Sequence, residues 1–309
     1  MQQFNLCFDK VKKDCLKFIK SQETKADKFK NKERMIKSFL IPLCFWISAK
    51  AEKKRPYFVG LAGGQGTGKT TTSSLIKIIL TKYFKLKVFK ISIDDFYKTR
   101  KERISLSKRV HPMLLTRGVP GTHDINMLSN FLKKIKTKNF KKFKFPSFDK
   151  STDDRKKKNQ WHLIKYKPDI LIFEGWCIGS KHQNTKNLKK SINETEKFFD
   201  KNLKWRKFVN LQLKNKYKKI FNQIDYLMYL KANNFNLLKK WRLKQEKKLL
   251  MKNNFTNNLK IMNKKKLSEF MQTYERITKH MLKTTPNYAS VVIKLDNNHE
   301  IKKIKFNQI

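Results

Sequence analysis

The chain has 309 residues (37.1 kDa), 39% of them hydrophobic and 24 of them Phe, which supplies a sizeable core and excludes a disordered chain. Its formal net charge of +50 is carried by 64 Lys but only ten Arg. Arg is the side chain that forks onto phosphates and guanine, and Lys, Asn, Ile and Phe share A/T-rich codons, so charge alone does not define a nucleic-acid-binding protein; runs such as "KKIKTKNFKKFK" read as solvated faces.

Residues 8 to 49 read as helical, with apolar residues three and four apart. Their most apolar run, "FLIPLCFWISA" (39–49), is too short to span a bilayer. The N-terminus "MQQFNLCFDKVKKD" has no secretory apolar region, and Cys7, Cys15, Cys44 and Cys177 show neither metal-ligand spacing nor a disulfide framework. The expected compartment is the cytoplasm, with no membrane partner. "RPYFVGLAG" (55–63) predicts a buried strand, "GKTTTSSLIKIILTKYF" (68–84) an amphipathic helix, and "KVFKISI" (87–93) a second strand expected beside the first. An irregular stretch follows. Then come a third strand, "DILIFEG" (169–175), a fourth, "IDYLMYLKA" (224–232), helices near 234–252 and 265–283, and a fifth strand, "ASVVIKL" (289–295). Apolar strands alternating with helices predict an α/β fold with a five-stranded, mostly parallel sheet covered by helices on both faces. The expected organisation is a domain over residues 51–309 with a helical N-terminal extension, residues 1–50, packed on it.

Between the first strand and first helix lies "GGQGTGKTT": Gly63, Gly64, Gln65, Gly66, Thr67, Gly68, Lys69, Thr70 and Thr71. It fits G-x-x-x-x-G-K-[ST], the P-loop of an NTPase fold. Glycines let successive backbone N–H groups turn toward phosphate oxygens, and the following helix N-terminus adds its partial positive charge. Lys69 is expected on the β- and γ-phosphates of ATP, with the Thr70 hydroxyl on Mg²⁺. Glu174, closing the third strand, is the second expected metal-side ligand. The second strand ends in "SIDDFY", whose tip opens on the crevice where α/β sheets bind ligands. One of Asp94 and Asp95 is suited to orient an acceptor hydroxyl and take its proton, the other to cap the loop; two plain turn formers are the competing reading.

The segment "SIDDFYKTRKERISLSKRVHPMLLTRGVPGTHD" (92–124) resembles the D-glycerate 3-kinase group of P-loop kinases, relatives of uridine kinase, phosphoribulokinase and bacterial pantothenate kinase. The likeness continues through "FPSFDKSTDDR" (145–155), "DILIFEGWCIG" (169–179), "FVNLQLKNKYKKIFNQIDYLMYLKA" (208–232), "WRLKQE" (241–246) and "FMQTYERITKHM" (270–281). The resemblance implies that Asp94 is the base, with Asp95 in a slot where relatives accept Ser or Gly. It implies that Tyr97, Arg117, His123, Asp124 and Arg155 join Asp95 around a small anionic acceptor, and that Arg242 is a lid arginine over the transferring phosphoryl. Trp176 and Trp241 read as core or pocket wall, and His111 as structural.

The expected activity is transfer of the γ-phosphoryl of ATP to a hydroxyl of a small acid, D-glycerate first, with another small alcohol such as uridine or pantothenate as the alternative acceptor. Two other classes compete. A nucleic-acid-stimulated ATPase would show turnover dependent on DNA or RNA. A non-catalytic nucleotide-binding regulator would have no need of Lys69, Thr70, Asp94 and Glu174 together.

Overall fold

The computed structural model describes residues 2–24, 28–252 and 264–307, with side chains described outside 249–252 and 264–265. Helix α1 (Gln2–Gln22) buries Cys7, Val11, Cys15 and Ile19, four residues apart and therefore on one stripe. A π-helical turn, Met35–Leu40, leads into α2 (Ile41–Lys53). Strand β1 (Tyr57–Gly63) is buried along its whole length and runs through the glycine loop into α3 (Lys69–Lys82). Strand β2 (Val88–Ser92) ends in a single 3₁₀ turn, Ile93–Phe96. After it come α4 (Arg100–Arg109), α5 (Ile125–Lys136), β3 (Ile170–Gly175), α6 (Lys204–Gln212), β4 (Tyr226–Lys231), α7 (Phe235–Lys252), α8 (Lys264–Thr284), β5 (Val291–Leu295) and β6 (Ile301–Phe306).

The main sheet has the order β6-β5-β4-β1-β3-β2. All five expected strands are present and mutually parallel, and β6 joins as a sixth, antiparallel to β5. Lys302, Lys303 and Lys305 on β6 keep this exposed edge soluble. One expectation is corrected: β2 does not lie beside β1, because β3 sits between them. β3, flanked on both sides, is buried at every position, whereas β2 at the edge is partly exposed.

Alternate residues of the strands feed two cores. Val59, Leu61, Ile170, Ile172, Met228 and Leu230 pack with α1, α2 and α3. Phe58, Ala62, Leu171, Phe173 and Tyr229 pack with α5, α6 and α8 on the other face. The helical N-terminus thus shares one buried cluster with the sheet, and all four cysteines are buried free thiols. No helix among the described residues is long and apolar enough to cross a membrane.

Candidate active site

The parallel register brings the chemistry to one edge. Glu174 on β3 pairs with Leu61 on β1 and with Ser92 on β2, so its carboxylate stands between the start of the glycine loop and the aspartate turn. Within the loop, Gly66 and Gly68 have φ of +78° and +83°, the left-handed region where a side chain is strained. A Cβ on Gly66 would also lie 2.9 Å from Trp241 Cβ, because the first turns of α7 cover the loop. Thr67 Oγ1 donates to the Gly64 carbonyl at 2.8 Å, bracing the turn.

Lys69 Nζ donates to the same carbonyl at 2.9 Å. Burial pushes its ammonium down to about 8, against the opposing pull of Glu174 and Asp94. Thr70 Oγ1 donates to Glu174 Oε1 at 3.0 Å and Ser73 Oγ to Oε2 at 2.8 Å, and Glu174 is 6% exposed. A buried carboxylate held by two hydroxyls beside the phosphate loop is an all-oxygen donor set, the kind Mg²⁺ takes together with water and phosphate oxygens. The residues present therefore fit the expected metal. Among the described residues, both polar atoms of the Gln65 side chain are buried without a hydrogen-bond partner, as is Arg242 Nε. The rest of the Arg242 guanidinium is held by Gln245 at 3.0 Å and by Glu246 one turn on, which fixes it where α7 crosses the loop.

The two aspartates of "IDD" separate cleanly. Asp94 N donates to Ser92 Oγ at 3.2 Å and Ser92 N donates to Asp95 Oδ2 at 3.3 Å, a reciprocal capping box. Asp95, an expected acceptor contact, is therefore engaged as the cap, with His162 Nε2 a further 3.6 Å from its other oxygen. Asp94 is left to project, and Lys150 Nζ donates to its Oδ2 at 2.6 Å. Burial opposes ionisation of Asp94, but the Lys150 charge and hydrogen bond, helped by His123 and the Tyr97 hydroxyl, hold its carboxyl well below the usual range.

The remaining expected residues converge behind this turn. The Tyr97 and His123 rings stack at 4.4 Å, and both are buried. Arg155 donates to the Tyr97 carbonyl at 2.9 Å and lies 3.5 Å from Asp124, whose own carboxylate caps α5 through Met127 N. Arg117 pairs with Asp153 and lies over the Phe148 ring at 5.5 Å. Trp176 Nε1 donates to the Gly118 carbonyl at 3.0 Å and Trp241 stacks on His299, so both indoles are wall. His111 caps a 3₁₀ turn through Met113 N.

Sequence reasoning missed Lys150, one lysine among 64 with no spacing to mark it, although it lies in "FDKST". It missed Arg103, which is fully buried and donates to the Lys98, Leu115 and Asp153 carbonyls, tying three loops together. It also missed Asp153, whose left-handed backbone (φ +58°) sets its carboxylate among Arg100, Arg103 and Arg117. Only folding brings these residues together.

A glycine loop entering a helix from a parallel strand, faced by an acidic strand end and a projecting aspartate, defines a P-loop kinase, a phosphotransferase class. No family model matches the chain. It is 34% identical over 200 residues to the uncharacterized kinase mug58 of Schizosaccharomyces pombe, covering 62% of this chain and 70% of that protein. It is 28% identical over 204 residues to the chloroplastic D-glycerate 3-kinase of Arabidopsis thaliana, covering 62% of this chain and 41% of that one. The solved D-glycerate 3-kinase of Cryptococcus neoformans shares the fold, with a TM-score of 0.73 at 23% identity over 88% of this chain and 99% of that one. The chain belongs to the D-glycerate 3-kinase-like family of P-loop kinases.

Proposed function

We propose that the protein transfers the γ-phosphoryl of ATP to a hydroxyl of a small anionic acceptor, D-glycerate first among the candidates. The observation that carries the reading is the facing of two halves across the strand ends: Lys69, Thr70 and Glu174 on one side, the Asp94–Lys150 pair on the other. The loop amides and Lys69 hold the phosphates, with Thr70 and Glu174 as the residues that hold Mg²⁺. When bound, the metal neutralises charge on the phosphate oxygens. Asp94 accepts a hydrogen bond from the acceptor hydroxyl and aims its oxygen. That oxygen bonds to the γ-phosphorus, the bond from phosphorus to the β–γ bridging oxygen breaks, and the proton passes to Asp94. An ion-paired carboxylate is a weak base, which suffices where the transition state is loose and positioning supplies most of the acceleration. Arg242 neutralises the transferring group. Tyr97, Arg117, His123, Asp124 and Arg155 form or brace the acceptor side.

The test is the purified protein with ATP and Mg²⁺ and a panel of D-glycerate, other small hydroxy acids, pantothenate and nucleosides, scored for ADP release and phosphorylated product. D-Glycerate as the best acceptor is the expected result. Turnover that requires DNA or RNA and ignores every small acceptor would overturn the reading.

A further inference from the structure

Tyr217 lies in the π-helical turn Leu213–Tyr217 that continues α6, more than ninety residues from the acceptor loop, and its side chain is fully buried there. Its hydroxyl oxygen accepts from the Gly121 amide at 2.9 Å and lies 2.7 Å from His123 Nδ1. One of those two atoms carries the shared hydrogen. If Nδ1 did, the Tyr217 hydroxyl hydrogen would have no acceptor among the described residues, a buried donor left unsatisfied. If the tyrosine donates, its hydrogen is used, its oxygen still takes the Gly121 amide, and Nδ1 is the acceptor.

That choice fixes the far side of the ring. A neutral imidazole with Nδ1 as acceptor carries its hydrogen on Nε2. His123 is 2% exposed, and Nε2 is buried with no hydrogen-bond partner among the described residues. The ring stacks on Tyr97, the residue that closes the aspartate turn, so His123 lies beside that turn on the expected acceptor side. Burial pushes the imidazole down to about 4, which keeps the ring neutral near pH 7 and unsuited to carry a charge there.

We propose that Tyr217 locks His123 as the neutral Nε2–H tautomer, so that His123 donates a hydrogen bond to a carboxylate oxygen of the phosphoryl acceptor. His123 is then a specificity-determining residue and Tyr217 a positioning residue acting through it. The proposal rests on the small-acid reading above. A carboxylate offers only acceptors, so a fixed donor favours it and the opposite tautomer would repel it.

Two measurements test this independently. The ¹⁵N NMR spectrum of the imidazoles, with the His123 signals assigned by their loss in His123→Gln, should show a neutral ring protonated at Nε2 in the wild type at pH 7. In Tyr217→Phe it should show a tautomer mixture. A wild-type ring protonated at Nδ1, or at both nitrogens, would overturn the lock even if the enzyme uses some other acceptor. In kinetics, His123→Ala should raise the acceptor KM by about tenfold or more, the scale of one hydrogen bond to a charged group, with the ATP KM unchanged. His123→Gln places an amide N–H near the position of Nε2 and should recover much of the loss. An unchanged acceptor KM in His123→Ala, or ATP and acceptor KM rising together, would overturn the donor role. Failure of the wild type to phosphorylate D-glycerate would sink the substrate reading alone, since the tautomer result does not depend on it.

Discussion

Lys150 Nζ stands 2.6 Å from Asp94 Oδ2, so the carboxylate proposed to aim the acceptor hydroxyl is ion-paired. The pair joins two stretches 56 residues apart. It has a pH signature. A neighbouring cation favours the ionised form, so Asp94 titrates below an ordinary carboxyl, and removing the cation raises it. In Lys150→Met the acidic limb of the kcat profile should move to higher pH than in the wild type. A limb that stays put or moves down would exclude Lys150 as the group that holds Asp94 ionised.

Asp94→Asn and Asp95→Asn should differ in kind. The first removes the group proposed to orient the hydroxyl and should lower kcat by a factor of about 10²–10⁴ with nucleotide affinity retained. The second weakens a capping box and should cost about 1 kcal/mol of stability with a much smaller effect on rate. Steady-state kinetics and denaturant unfolding of both variants decide. A larger rate loss at Asp95 would move the base by one residue.

Lys69→Met gives opposite results with and without nucleotide. A lysine pushed down to about 8 takes up a proton on unfolding between that value and about 10.4, so its burial lowers stability at neutral pH, and the penalty is relieved as pH rises through that window. The nucleotide-free variant should therefore melt at a higher temperature than the wild type at pH 7. It should also lose phosphoryl transfer and most of the ATP-induced rise in Tm. Near-normal turnover would remove Lys69 from the phosphate site.

Glu174→Gln keeps the shape of a side chain that accepts from Thr70 and Ser73 and removes its charge. The expected outcome is a folded protein with lower turnover that needs more Mg²⁺ for half-maximal rate. An unchanged Mg²⁺ titration at full activity would make Glu174 a structural residue.

Gly66→Ala tests the cover over the loop. A left-handed alanine costs about 1–2 kcal/mol, and its Cβ would crowd Trp241 at the start of α7. Both a lower Tm and weaker ATP binding are expected. Loss of stability alone, with nucleotide affinity unchanged, would separate α7 from the nucleotide site.

Much of the plan was legible in the chain. β1 and β3 are continuous apolar runs because strands flanked on both sides and covered on both faces have no solvent-facing position, and the glycine loop between β1 and α3 has one spacing that wraps phosphate. Glu174 and the aspartate turn were visible because each ends a strand, where parallel sheets gather their ligands. Strand order was not legible, since periodicity reports which faces a strand buries and not which strand lies beside it. The local pattern did not separate the two aspartates; the family resemblance pointed to Asp94 as the base, and the 3₁₀ turn gives the capping bond to Asp95. Lys150, Asp153 and Tyr217 carry no local pattern. Their roles come from long-range packing that closes loops of tens of residues, and a hydrogen bond of that kind is written in the fold rather than in any window of the chain.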